Sequence, residues 1–202
     1  MRITPRLAAV LLAAGLALAG CDRLFGPPKS PFQGIDVTGG EMGGELRLTG
    51  HDGKPRSLAD FRGKVVVISF GFTHCPDVCP TTLADLAAAV KQLGGEASQV
   101  QVLFVTVDPK RDTPELLRQY VPAFHPDFIG LTGDEAALER ARKEFHVYAQ
   151  VRAPKPGEEA YSVDHSAHMY VVDRQGKLRL LLPPGSPPAA IAADLRVLLN
   201  NA

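Results

Sequence analysis

Residues 65–83 read Val-Val-Val-Ile-Ser-Phe-Gly-Phe-Thr-His-Cys-Pro-Asp-Val-Cys-Pro-Thr-Thr-Leu. The first eight are β-branched or aromatic apart from Ser69 and Gly71, the composition of a strand buried on both faces. From Leu83 the apolar positions recur at helical spacing, through Leu86, Ala87, Val90 and Leu93, until Gly94-Gly95 stops the run. Cys75 and Cys79 fall where strand gives way to helix, and Pro80 suits the first helical position. A helix starting near Cys79 offers unpaired N–H groups and a positive dipole end, which stabilise thiolates. An i, i+4 spacing sets both sulfurs on one side of that entrance, near enough for a disulfide or a shared ion.

Working outward, the same grammar repeats. Residues 100–107 are a second apolar strand, and Thr113-Pro114 is a cap followed by a proline at the first helical position. Thr132 and Glu135 make a capping box ahead of Leu138, Ala141 and Phe145. Residues 169–172 and 178–182 are two more strands about a Gln175-Gly176 turn, and Ser186-Pro187 opens a last helix presenting Ile191, Leu195 and Leu198. A hairpin with one arm at 45–49 turns near Asp52-Gly53 ahead of all this. The expected order after the hairpin is β-α-β-α-α-β-β-α. That is an α/β fold with a mixed sheet covered by helices on both faces, matching a thioredoxin-like fold with an insertion around 133–161.

Upstream, Arg2 and Arg6 precede an apolar run over residues 7–20, which is short of the ~20 residues a membrane-spanning helix needs. It reads instead as an export leader. Leu18-Ala19-Gly20-Cys21 resembles a bacterial lipobox, so Cys21 is the expected lipidation site. Several acyl chains, unlike one, give stable anchoring. Asp22 resembles the signal that retains such lipoproteins at the periplasmic face of the inner membrane. Residues 22–44 hold six glycines and three prolines, a tether running into turns. The expected organisation is leader 1–20, tether 21–31 and one domain over 32–202.

The whole chain of 202 residues carries 22 basic and 22 acidic side chains, so a nucleic-acid partner is not expected. With 45% hydrophobic residues it is not a disordered sequence either. Its three cysteines are too few for a disulfide scaffold, and Cys21 is assigned to the anchor, leaving two for chemistry.

Four segments together resemble the Sco/SenC family of copper chaperones. They are Phe32-Gln-Gly-Ile-Asp-Val-Thr-Gly39, Gly71-Phe-Thr-His-Cys-Pro-Asp-Val-Cys-Pro80, Val107-Asp-Pro109 with Arg111-Asp-Thr-Pro114, and Val163-Asp-His-Ser166. The resemblance implies a thioredoxin-like protein that binds copper through Cys75, Cys79 and His165. It also implies a role in assembling the copper centre of cytochrome c oxidase, taking copper from an upstream periplasmic donor and passing it to the copper-receiving subunit. Soft thiolates suit Cu(I), and imidazole accepts Cu(I) or Cu(II). Zinc in a closed site would need a fourth ligand, and no further cysteine is at hand.

Two other functions fit the motif. A thiol-disulfide reductase would use Cys75 to attack and Cys79 to resolve, keeping the recipient's cysteines reduced. The absence of a proline in 164–169 and the four-residue cysteine spacing favour ion binding over that exchange. A peroxiredoxin-like peroxidase would need an arginine beside its cysteine, and 164–170 contains none.

Neighbouring polar residues have duller readings. His74 is either a tuner of Cys75 or an exposed turn residue. His168, three positions after His165, would face away if both lay on one strand. Met169 reads as core and Asp77 as solvated. Asp164 could orient His165, while Asp108, Arg111 and Asp112 read as an ion-paired loop. His51, His125 and His146 have no evident partners.

Overall fold

A computed structural model of the chain describes residues 30–154 and 160–200. Its first elements are short: β1 (Ile35–Asp36), then a hairpin of β2 (Arg47–Gly50) and β3 (Pro55–Ser57). Gly53 has φ +79°, a left-handed conformation that glycine adopts without strain. The motif strand is β4 (Val65–Gly71), buried at every residue, and it runs into α1 (Val78–Gln92). Then come β5 (Val100–Thr106), α2 (Pro114–Tyr120), β6 (Ile129–Thr132) and α3 (Glu135–Glu144). The chain continues through β7 (Ala149–Arg152), β8 (Ser162–His165), β9 (Met169–Val172), β10 (Leu178–Leu182) and α4 (Pro188–Asn200).

Eight strands form one sheet in the order β1-β10-β9-β4-β5-β6-β2-β3. The centre, β4-β5-β6, is parallel, and every other pairing is antiparallel. Parallel strands need helical crossovers, which cover both faces and explain why β4 and β5 are apolar throughout. On one face, Phe104 of β5 stands in register beside Ser69 and meets Tyr120 at the end of α2, with ring centroids 6.0 Å apart. On the other, Phe70 meets Phe145 behind α3 at 5.8 Å and Tyr170 of β9 at 5.7 Å. Leu83, Leu86, Ile191 and Leu195, all 0% exposed, belong to this same core. Burying each such leucine or isoleucine contributes about 1.5–3 kcal/mol.

The expected mixed α/β sheet is the observed one, with two departures. Strands β1 and β6 were not expected, being two and four residues long with no readable periodicity. Because Thr132 ends β6, the α3 cap is Asp134, whose carboxylate accepts from Ala137 N at 2.7 Å. Thr113 caps α2 as expected, accepting from Leu116 N at 3.3 Å. The start of the domain is fastened to α4: buried Asp194 accepts from Gln33 N and Gly34 N, both at 2.8 Å. The leader, Cys21 and the tether up to residue 29 lie outside the described residues. Among the described residues, no helix is long and apolar enough to cross a membrane.

Candidate metal centre

The cysteine-bearing loop leaves the C-terminal end of β4 and is pinned to the loop that follows β5. Val107 N continues the ladder to Gly71 O at 2.8 Å. Asp112, 0% exposed, accepts from Thr73 N at 3.1 Å, Thr73 Oγ1 at 2.6 Å and Thr106 Oγ1 at 2.7 Å. Burial raises the pKa of its carboxyl, and the Thr106 and Thr73 hydrogen bonds act against that. The ion pair of this loop is Arg111 with Asp108, while Asp112 ties the two loops together.

Cys79 lies in the first turn of α1, buried at 3% exposure, while Cys75 is half-buried; both are free thiols. A Cβ on Gly71 would stand 2.8 Å from Cys79 Sγ and 2.8 Å from Phe104 Cε2. The glycine inside an apolar strand thus marks a close approach. Burial pushes the Cys79 thiol up, and the N–H of Phe72 offsets only part of that. Desolvation of Cys79 thus works against the thiolate stabilisation expected at the helix start. Pro80 is the third residue of α1 rather than the first. Nearby, the Tyr120 hydroxyl is buried with no hydrogen-bond partner among the described residues, and burial, then the charges of Cys79 and Cys75, raise its pKa.

The third ligand arrives on a different kind of element. β8 pairs with β7 in a two-stranded ribbon apart from the eight-stranded sheet, and His165 is its last residue. His165 Nδ1 lies 2.9 Å from Ser166 O, and since a carbonyl can only accept, Nδ1 carries the proton. Nε2 is then the ring nitrogen that faces the sulfurs, 3.4 Å from Cys79 Sγ. The edge of Phe72 packs on the imidazole at 5.9 Å. Ser166 is held in turn by Tyr148, with Ser166 N to Tyr148 O and Tyr148 N to Ser166 Oγ both at 3.0 Å. Ligand atoms of Cys75, Cys79 and His165 all lie within 4.8 Å of one another, close enough to share one ion.

The other sequence candidates are placed elsewhere. His74 is an exposed turn residue with Nδ1 3.0 Å from Thr73 Oγ1, and Asp77 is exposed at the start of α1. His168 is outside the cluster, though for another reason than strand parity: β8 ends at His165 and β9 begins at Met169, so a loop separates them. Met169 is core. Asp164 does not orient His165; it pairs with Arg152 at 2.7 Å on the exposed side of the ribbon. His51 has a partner after all, accepting at Nδ1 from Gly130 N at 2.9 Å, with its pKa lowered by burial. His125 stacks on Phe128 at 4.9 Å, and His146 adopts a positive φ of 51° after α3. The site also has a neighbouring arginine that residues 164–170 could not reveal. Arg111 lies over Phe72, 5.6 Å from its ring centroid, and pairs with Asp108.

Two thiols and an imidazole form a soft, small and partly open donor set. Such a set suits a monovalent or divalent transition ion that must enter and leave.

Comparison with known proteins agrees with this geometry. Residues 36–200 match the family model described as SCO1/SenC. The mitochondrial SCO2 homologue of Bos taurus is 43% identical over 135 residues, covering 66% of this chain and 50% of the relative. The chain thus spans about half the length of that mitochondrial protein. A SCO2-like protein of Rickettsia prowazekii is 38% identical over 154 residues, covering 74% of this chain and 75% of the relative. Among solved structures, Bradyrhizobium japonicum ScoI with copper bound is 37% identical with a TM-score of 0.71, over 78% of this chain and 99% of that one. Apo Sco1 of Thermus thermophilus is 41% identical with a TM-score of 0.74, over 86% of this chain and 100% of that one. On sequence and fold together, the chain belongs to the SCO1/SenC family.

Proposed function

We propose that this chain is a copper metallochaperone that holds copper through Cys75, Cys79 and His165 and delivers it to the copper-receiving subunit of cytochrome c oxidase. The observation that carries the reading is the convergence of two thiols and one imidazole nitrogen within 4.8 Å, on a half-open site. Similarity to Sco proteins solved with copper bound supports the choice of ion. Both thiolates suit Cu(I), while the imidazole extends the set to Cu(II). Copper is cargo here, so a site lacking a fourth protein donor is an advantage: a partner's ligand can approach the open side.

The proposed organisation is a leader over 1–20, a tether over 21–31 lipidated at Cys21, and the copper domain over 32–202. It places the domain at the periplasmic face of a bacterial inner membrane, where an upstream donor would load it. Retention of a Cys21→Ser chain in the membrane fraction would overturn the lipid anchor.

A second reading is supported by the unequal burial of the two thiols. Half-buried Cys75 is placed to attack a partner disulfide, and buried Cys79 to resolve the mixed disulfide. The partner would leave as a dithiol and this chain as the Cys75–Cys79 disulfide. One experiment separates the readings. The purified chain, reduced or oxidised to the disulfide with free thiols counted, is offered each copper state. Copper held by the reduced form and lost on oxidation is expected, because thiolates are the ligands. Full binding by a chain without free thiols at 75 and 79 would remove both cysteines from the site and leave exchange as their role.

A further inference from the structure

We infer that Asp108, Arg111 and Tyr161 form a clasp that positions His165 for the metal without touching it, an inference that rests on the copper reading above. Tyr161 directly precedes β8, and His165 is the last residue of that strand. The Arg111 guanidinium lies 3.7 Å from the centroid of the Tyr161 ring, and Arg111 Nη1 donates to Tyr161 O at 2.9 Å. Tyr161 Oη donates to Asp108 Oδ1 at 2.8 Å, and the other carboxylate oxygen of Asp108 takes Arg111 Nε. The ring of contacts is therefore closed: carboxylate to guanidinium, guanidinium to ring and carbonyl, hydroxyl back to carboxylate.

Three features give this cluster a role beyond holding a loop. First, β8 is not part of the eight-stranded sheet, so the sheet's hydrogen bonds do not locate it. Second, the same loop, 108–112, reaches both arms of the site. Asp112 pins Thr73 of the cysteine loop while Asp108 and Arg111 grip the start of the histidine strand. Arg111 also rests over Phe72, whose ring edge meets the His165 imidazole, so it touches the histidine's packing partner as well as its strand. Third, Arg111 Nη2 is buried without a hydrogen-bond partner among the described residues. Leaving a buried donor unpaired is unfavourable, so an arginine here is a poor choice for stability alone. It is a good choice for fixing a planar, two-sided contact between Phe72 and Tyr161.

Loosening the clasp lets β8 shift along its ribbon partner and draws Nε2 away from the sulfurs, which stay where α1 and β4 hold them. Cu(II) binding, which depends on the imidazole, then weakens, whereas Cu(I) held by two thiolates changes little. The test uses the reduced full chain with Tyr161→Phe, which keeps the ring over Arg111, and Tyr161→Leu, which loses the ring and hydroxyl contacts and keeps only the carbonyl one. Cu(II) affinity is expected to fall about tenfold in Tyr161→Leu, with an altered thiolate-to-copper absorption band, and by less in Tyr161→Phe. Cu(I) affinity from chelator competition should stay within about twofold, even though losing the Tyr161–Asp108 hydrogen bond lowers the metal-free melting temperature by about a few degrees. Equal loss of both copper states would reduce the cluster to a structural prop and overturn the inference. So would unchanged Cu(II) affinity and spectrum in Tyr161→Leu. Should the parent chain bind no copper, the copper reading fails instead. The His165 ring resonances of the metal-free chain then decide the clasp, and their indifference to Tyr161→Leu would sink it.

Discussion

The two arms of the metal centre are built to different standards. Cys79 sits at the meeting of a fully buried seven-residue strand, a fifteen-residue helix and a loop held by the carboxylate of Asp112. His165 ends a four-residue strand that pairs with one partner, in a ribbon where Val151 is 59% exposed and an ion pair faces solvent. Moving a sulfur would disturb close-packed core, and moving the imidazole would disturb a few side-chain contacts. The carrier role proposed above would use this inequality: the buried Cys79 sulfur fixes the place of the ion, and a less committed imidazole would let the coordination change when another protein's ligands compete.

The largest way to break this contrast is to remove ligands from each arm separately. Cys79→Ala should abolish binding of both copper states. His165→Ala should cost Cu(II) about 100-fold or more and Cu(I) about tenfold or less, because two thiolates remain an adequate Cu(I) site. Affinities from competition with chelators of known strength check this, and equal losses for both states in His165→Ala would show that the arms do not differ.

A smaller effect is expected from unpinning the rigid arm. Asp112→Ala leaves Thr73 N, Thr73 Oγ1 and Thr106 Oγ1 without their acceptor in a buried setting. Stability should fall by about 3 kcal/mol. For a domain of this size that lowers the melting temperature by about 6–12 °C. A melting temperature within a degree of the parent would mean that the cysteine loop is held by something else.

The smallest and most graded effect is on pH. Burial raises the Cys79 pKa, so the metal-free chain keeps that proton and copper must displace it. Copper affinity should therefore rise with pH, with at least about one proton released per copper bound, measurable by titration in buffers of different ionisation enthalpy. The sign reverses for the stability of the metal-free chain. Its unfolded form ionises the thiol first, so unfolding becomes easier as pH rises past the ordinary thiol range. Copper uptake without proton release would show that Cys79 is already a thiolate and that its burial is less effective than the fold suggests.

Much of the fold could be read from periodicity, and the failures are informative. β4, β5 and β9 were visible because both-faces-buried strands are nearly continuous apolar runs, β10 by the apolar Leu178, Leu180 and Leu182 of its buried face, and α1 and α4 because their apolar positions recur in helical register. β6 was missed because Ile129–Thr132 is four residues beside Gly133, and Thr132 was misread as a helix cap on the strength of a glutamate three positions on. The β7–β8 ribbon was missed because Ser-Val-Asp-His carries almost no apolar signal. Its strand character comes from pairing with 149–152. The ion-paired loop of Asp108, Arg111 and Asp112 is legible in the sequence, but not which of the two aspartates holds the arginine. Which carboxylate takes the guanidinium and which takes the threonines depends on where a loop 39 residues away comes to lie.

What the sequence by itself determined is chemical identity and local form. It supplied two thiols four residues apart at a strand-to-helix junction and a histidine far downstream. Those depend on residue type and short-range stereochemistry, which a linear chain displays directly. The approach of His165 Nε2 to within 3.4 Å of Cys79 Sγ spans 86 residues and was decided by tertiary structure alone. The same holds for the tautomer fixed by Ser166, the raised thiol of Cys79 and the grip of Arg111 on Tyr161. Distance, desolvation and hydrogen-bond choice are properties of neighbours in space, and the sheet order that places β9 beside β4 selects those neighbours.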